Sequence, residues 1–301
     1  MVQATVLIDG NNFYASCEQS LDPSLIGRPV VVLSNNDGCI VARSAEARAL
    51  GIAMGTPYFK ARQELKQQNV VVRSSNYALY ADMSQRMMCL LEAHCEDLEV
   101  YSIDEAFGRI SRPGHEDLQG WARQLRATVR QHLGLPIAIG VGASKSQAKL
   151  ANRLAKQVPA HAGLFDLGCC NDPDGWLETI AIEDVWGIGR KLALWCRLRG
   201  VSNARLLRDM PSGELRAKCG VVGLRLQREL RGQACLPLDL APAAKQETCV
   251  SRSFSRPITS LDELRQAVAT YVVRAAEKLR KQRQRTAALT VYTRTSPFAP
   301  G

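Results

Sequence analysis

Hydrophobic positions in residues 1–160 switch between two periods. Residues 3–9 form an apolar run ending in Asp9 and predict a strand. Residues 30–34 are rich in β-branched side chains. Asn35-Asn36-Asp37-Gly38 is a hairpin turn signal, and 39–42 predict the returning strand. Short helices are expected over 44–50, closed by Gly51, and over 57–67, with a strand at 70–72. In 75–95, Leu79, Met83, Met87, Leu90 and Leu91 recur every three to four residues, the stripe of an amphipathic helix. A Met-rich stripe of this kind is core more often than cofactor box. Two short strands, 98–100 and 107–110, flank an acidic turn. Trp121, Leu125, Val129 and Leu133 mark a helix over 118–133, and 136–141 predict another strand. The last helix of this half, 143–157, carries Lys145, Lys149, Arg153 and Lys156 on roughly one face.

This order predicts an α+β fold, a mixed sheet backed by helices on one face, with a small α/β insert after the first strand. The insert is basic around Arg43, Arg48, Lys60 and Arg62. From 176 to 231 no strand pattern recurs. Val185-Trp186-Gly187-Ile188-Gly189-Arg190-Lys191 sits between helical stretches and resembles a helix-hairpin-helix, a grip on a nucleic-acid backbone. A second small-residue turn, 218–223, is expected to pair with it. Residues 232–245 hold two prolines and no period, and predict a linker. Beyond it the pattern predicts a strand (248–254), a helix (260–282) and a strand (287–293).

Composition narrows the class. The chain of 301 residues is long enough for two or more domains. No apolar run approaches the ~20 residues of a membrane-spanning helix. The N-terminus has neither the basic region nor the long apolar stretch of a signal peptide, so a cytoplasmic location is expected. The ten cysteines form no C-x-x-C pair, which argues against a zinc site. The net charge of +10 suits a polyanionic partner. Residues 246–301 concentrate it, with ten Lys or Arg against four Asp or Glu.

Two acidic positions carry candidate chemistry. Asp9 ends a strand and precedes Gly10-Asn11-Asn12, where an acid serves as a metal ligand or as a helix cap. Asp104 and Glu105 lie in Tyr101-Ser102-Ile103-Asp104-Glu105-Ala106-Phe107. Taken alone, such a pair is most often a solvated turn. A buried pair needs a basic side chain or a divalent cation.

Asp9 with Phe13-Tyr14, the Ser102–Ala106 hairpin, and Ala148-Lys149-Leu150-Ala151-Asn152 occur in this order, with a helix-hairpin-helix after them. The set resembles the Y-family translesion DNA polymerases. Further stretches are similar to the UmuC-type branch: Val32 to Cys39, Ser75-Asn76-Tyr77 with Leu79 to Ser84, Asp184 to Arg190, and Thr295-Ser296-Pro297-Phe298-Ala299.

The resemblance implies a right-hand polymerase. Its palm would be 1–13 and 78–162, its fingers 14–77, its helical thumb 163–231, and residues 246–301 a partial β-α-β little finger. It implies low-fidelity, template-directed DNA synthesis across damaged template in the SOS response. Asp9, Asp104 and Glu105 would be catalytic and, with the Gly10 carbonyl, would hold two Mg²⁺ ions. Arg48 and Lys149 would clamp the triphosphate. Tyr14, beside Phe13, would be the steric gate against ribose. Gly187, Gly189, Arg190, Lys191 and Arg252 would contact DNA. Implied partners are primed damaged DNA, dNTP, a UmuD-type dimer and a recombinase filament. The family's little finger is β-α-β-β-α-β and is followed by a sliding-clamp motif, whereas this sequence stops after β-α-β. Weakened DNA holding and poor processivity are therefore expected, with the clamp contact in doubt, and a non-synthesising relative that binds DNA or partners is the alternative. A two-metal nuclease would not call for Tyr14, Arg48 and Lys149 together.

Overall fold

β1 (Val2–Gly10) is the middle strand of a five-stranded sheet, and its two faces do different work. Side chains alternate across a strand. Ala4, Val6 and Ile8 enter one core, while Leu7 packs on the opposite side with Phe107 and Ala148. Asp9 follows Leu7 on that second side. The computed structural model describes residues 2–112, 114–241, 244–254 and 256–295. The chain divides into two units, residues 1–240 and 241–301.

In the first unit β1 leads into α1 (Phe13–Leu21). The insert follows: β2 (Val30–Leu33), β3 (Ile40–Arg43), α2 (Ala45–Ala49), α3 (Tyr58–Gln67) and β4 (Val71–Ser74). Its strands make a separate sheet, β3-β2-β4, with β2 antiparallel to β3 and parallel to β4. Val31, Leu33, Ile40, Ala47, Ala61 and Leu65 give it a core of its own. The chain then forms α4 (Tyr77–Glu92), β5 (Asp97–Val100), β6 (Glu105–Arg112), α5 (His115–Leu133), β7 (Ile137–Gly142) and α6 (Lys145–Gln157). The expected stripes are core: Met83, Met87 and Leu91 of α4 meet Leu125 and Val129 of α5 under the sheet. β6 and β7 flank β1, both antiparallel to it.

One strand had no visible pattern. β8 (Leu164–Asp166) has only three residues, too few to show a period, yet it pairs in parallel with β7 and extends the five-stranded sheet. It lies in the stretch expected to belong to the thumb. The helices α7 (Pro173–Thr179), α8 (Arg190–Arg197), α9 (Ala204–Asp209) and α10 (Ser212–Leu230) then close around Leu177, Ile182, Ala193, Leu207 and Leu215. The expected turn at 218–223 is instead a kink inside α10, at Gly220 with φ 62°.

Half of the expected linker is seated. The Glu229 carboxylate, fully buried, accepts from the N–H groups of Ser146 (3.0 Å), Cys235 (2.6 Å) and Leu236 (3.1 Å). Lys145 pairs with Glu99 and donates to the Pro237 carbonyl at 2.8 Å. The Asp239 N–H donates to Glu99 at 2.8 Å. Two prolines hide this from sequence, because the order comes from buried acids elsewhere. Pro242 and Ala243 of the expected linker lie outside the described residues.

In the second unit α11 (Leu261–Lys281) forms as expected, capped by Ser260. The expected strands at 248–254 and 287–293 do not form: among the described residues this unit has no strand. A strand needs a partner for its N–H and C=O groups. Here the two flanking segments meet through side chains, as Cys249 does with Tyr292, and among the described residues they form no backbone ladder. Residues 296–299 of the last motif lie outside the described residues.

Candidate active site

β1 ends where the site begins. Asp9 lies opposite Glu105 of β6 and Ala138 of β7. Just beyond, the Gly10 N–H donates to the Asp104 carbonyl and the Asn11 N–H to the Pro136 carbonyl, both at 2.8 Å. These bonds fix the strand end between the β5–β6 turn and the start of β7. A Cβ on residue 10 would stand 2.9 Å from Phe13 Cδ2, so a larger residue would have to displace the Phe13 ring. The turn is closed internally. Tyr101 and Ser102 donate N–H bonds to the Glu105 carbonyl at 3.0 Å, and Ser102 Oγ accepts from the Glu105 N–H at 3.1 Å.

The three acids thus arrive together from two strand ends, but their side chains have different partners. Asp9 is 7% exposed and pairs with Lys156 at 2.5 Å. Glu105 pairs with Lys149 at 3.0 Å. Asp104 accepts from Ser102 Oγ at 2.6 Å. Burial pushes the Asp9 carboxyl up to about 7 despite the pull of Lys156, and its hydrogen bond with Glu105 pushes the same way. Burial also opposes ionisation of Glu105, but the bond with Asp9 and the Lys149 ammonium outweigh it, and its pKa is lowered. Of the two, Asp9 is the harder to ionise.

Among the described residues, no three His, Cys, Asp or Glu side chains converge as a ready metal-ligand group. The donor chemistry of Asp9, Asp104 and Glu105 nevertheless suits hard divalent cations, and two of the three are already paired with ammonium groups.

α6 supplies those cations. Its four basic side chains do share one face, and each meets an acid on another element. Lys145 meets Glu99, Lys149 meets Glu105, Arg153 meets Asp184 and Lys156 meets Asp9. Asn152, between them, donates to the Ala138 carbonyl at 2.9 Å and the Leu7 carbonyl at 3.2 Å, which seats the helix on the sheet. A cavity of about 470 Å³ opens beside this face, lined by Asp9, Arg48, Glu105, Lys149, Lys156 and Trp186 among others. Arg48 reaches it from α2.

Tyr14, half-buried on α1, stacks on Tyr80 with ring centroids 4.3 Å apart and an interplanar angle of 15°. Tyr77 meets its edge at 5.8 Å, and Phe13 lies 6.0 Å away. Burial, with Tyr77 and Asp104 nearby, raises the Tyr14 pKa. Gly187, with φ 89°, and Gly189 form the turn into α8, and Arg190 and Lys191 begin that helix; all four are exposed. Arg252 is exposed in the second unit.

The structure therefore lines one cavity with Asp9, Glu105, Arg48 and Lys149, while Asp104 sits in the adjoining turn and Tyr14 on the helix that leaves β1. Sequence reading gave no site role to Lys156, Asn152, Tyr101 or Trp186. The spacing of Lys156 from Lys149 and Arg153 was the one available signal.

Family models match the chain in two places. Residues 8–153 match the impB/mucB/samB family, and residues 245–300 match that family's C-terminal domain. Protein UmuC of Salmonella typhimurium is 45% identical over 295 residues, 97% of this chain and 70% of the relative. The chain belongs to the impB/mucB/samB family. Among solved structures, an insertion ternary complex of Dbh DNA polymerase is similar with a TM-score of 0.67 and 26% identity. The match covers 78% of this chain and 69% of that one. A Y-family DNA polymerase chimera, 22% identical, shares the fold with a TM-score of 0.75 over 91% of this chain and 80% of that one. This family member is thus a homologue of DNA polymerases, with the Y-family α+β fold. Among its described residues, no helix is long and apolar enough to cross a membrane.

Proposed function

We propose that the chain synthesises DNA across damaged template, by template-directed nucleotidyl transfer at Asp9, Asp104 and Glu105. The observation that carries this reading is Asp9 lying opposite Glu105 at the end of β1, with Asp104 in the adjoining β5–β6 turn, beside a cavity lined by Arg48, Lys149 and Lys156. A carboxylate corner walled by cations suits a reaction that joins a metal-triphosphate to a hydroxyl.

In this reading Asp9, Asp104 and Glu105, with the Gly10 carbonyl, hold two Mg²⁺ ions. Bound there, such ions supply a lowered pKa at the primer 3′-hydroxyl and neutralise the leaving pyrophosphate. Lys149 and Arg48 provide positive charge for the triphosphate, Lys149 as a point charge and Arg48 as a planar fork. Tyr14, backed by Tyr80, presents a ring that excludes a ribose 2′-hydroxyl by volume. The α8 turn, with Gly187, Gly189, Arg190 and Lys191, offers N–H groups and cations to DNA phosphates. Arg252 adds charge from the second unit. In this reading the five-stranded sheet with its helices is the palm, the insert the fingers, α7–α10 the thumb, and the second unit a partial little finger. The partners would be primed damaged DNA, dNTP, a UmuD-type dimer and a recombinase filament of the SOS response, in the cytoplasm.

Primer extension tests this directly. The full chain is expected to add dNTP to a primed template in the presence of Mg²⁺, and Asp104→Ala is expected to abolish addition. DNA binding without addition by the folded wild-type chain would replace this reading with that of a binding relative.

A further inference from the structure

Lys149 sits in an aromatic box whose third wall comes from another part of the fold. Its ammonium nitrogen lies 4.5 Å from the ring centroid of Tyr101, 5.4 Å from Trp186 and 5.9 Å from Phe107. The fourth side is Glu105, at 3.0 Å. The rings brace one another. Tyr101 and Trp186 meet edge-on at 5.8 Å and 89°, and Tyr101 and Phe107 at 5.4 Å and 69°. The Trp186 indole N–H donates to Tyr101 Oη at 3.2 Å.

The walls differ in origin. Phe107 is fully buried on β6, and Tyr101 is 42% exposed at the β5–β6 turn. Trp186 belongs to the turn that enters α8, next to Gly187 and Gly189. Its neighbours Val185 and Ile188 are anchored in the α7–α10 core. An ammonium facing aromatic rings is held by their electron-rich faces, most strongly by indole. A lysine side chain otherwise ranges widely, and fixing it costs up to about 2 kcal/mol of rotamer freedom. The box restricts that freedom before any ligand arrives.

We infer that Trp186 is a positioning residue for Lys149. It makes the proposed DNA-gripping turn and the proposed triphosphate-binding lysine one mechanical unit, and it rests on the polymerase reading above. Displacing the turn removes the indole wall, and Lys149 then swings toward solvent. Nucleotide capture thereby depends on how the α8 turn is seated.

Two readouts test the inference in the full chain. The first is the KM for dNTP in single-nucleotide addition on a primed template. Trp186→Leu is expected to raise it roughly 3- to 30-fold, the range for loss of a partly buried cation–aromatic contact. kcat should change less, and Trp186→Phe should restore most of the loss. In a Lys149→Ala background, Trp186→Leu should leave KM unchanged; a further rise there would mean a general structural role and overturn the inference. The second readout needs no catalysis. Acetylation of Lys149 by an N-hydroxysuccinimide ester, mapped by mass spectrometry, should quicken several-fold in Trp186→Leu but not in Trp186→Phe, with exposed Lys60 as the control. Unchanged Lys149 reactivity in Trp186→Leu would overturn the box. Absence of dNTP addition by the wild-type chain would sink the polymerase reading instead, while acetylation would still decide the box.

Discussion

Lys156 Nζ lies 2.5 Å from Asp9 Oδ1, and this ion pair joins the last turn of α6 to the end of the central strand. The Asp9 side chain is nearly closed off from water, while that of Lys156 is 30% exposed. A half-solvated lysine beside a buried acid can exchange with another cation at modest cost, because it regains water when it leaves.

Lys156→Met is therefore expected to destabilise the chain by about 1–3 kcal/mol in urea melts without divalent ions. The cost lies below that of breaking a fully buried pair, since one partner reaches solvent. Mg²⁺ should recover more stability in this variant than in the wild type, because a hard cation replaces the lost counter-charge and binds the folded state alone. Equal stabilisation of both proteins by Mg²⁺ would show that Lys156 does not compete for Asp9.

The strap at 233–239 gives a second prediction. Glu229→Ala removes the acceptor of three N–H groups, those of Ser146, Cys235 and Leu236. A buried donor left unpaired costs about 1–3 kcal/mol; Ser146 is buried while Cys235 and Leu236 are half-buried, so a loss of about 2–4 kcal/mol is expected. Glu229→Gln keeps an acceptor and should cost less. Thermolysin should cut near Leu236 and Leu238 sooner in Glu229→Ala than in the wild type. An unchanged digestion pattern would mean that the strap is held by Glu99 and Lys145 alone.

The basic stripe of α6 shows what the sequence makes legible. Lys145, Lys149, Arg153 and Lys156 reveal their common face through helical spacing, a local property. Their partners Glu99, Glu105, Asp184 and Asp9 come from three other parts of the chain, and no local pattern links them. The strands of the five-stranded sheet other than β8, and those of the insert, were readable because β-branched runs and turn residues are local too. β8 was too short to show a period. Residues 248–254 and 287–293 have the alternation of strands but no ladder partner, and alternation alone does not make a sheet. Trp186 read as part of a glycine turn, since its contact with Lys149 exists only once the α7–α10 core has folded against β6.

Sugar selection gives a third prediction. Tyr14 is held flat on Tyr80, whose hydroxyl donates to Glu18 at 2.7 Å. Tyr14→Ala removes the ring and should raise ribonucleotide addition relative to dNTP tenfold or more, as expected when a pocket loses a steric wall. Tyr80→Phe keeps the stack and loses only the hydroxyl bond. It should cost about 1 kcal/mol of stability and leave sugar selection near that of the wild type. The ratio of kcat/KM for rNTP and dNTP checks both. A Tyr14→Ala enzyme that still rejects rNTP would remove Tyr14 from the gate.

Gly140 decides how closely α6 lies on the sheet. A Cβ built at this position on β7 would stand 2.0 Å from the Asn152 backbone N and 2.3 Å from the Ala148 carbonyl oxygen. Both neighbours are backbone, so neither can rotate away. Gly140→Ala must push the helix off the strand, which strains the bonds from Asn152 to Leu7 and Ala138. Lys149 and Lys156 travel with the helix, away from Glu105 and Asp9. A loss of about 3 kcal/mol or more is expected, at or above the upper end for overpacking because backbone must move. dNTP addition should fall with it even well below the melting midpoint. Gly120→Ala is the control: it lies within α5, where an added methyl meets nothing within 4 Å, and should stabilise by about 0.5–1 kcal/mol. Equal urea midpoints for the two variants would show that α6 does not need its backbone contact with β7 to place the lysines.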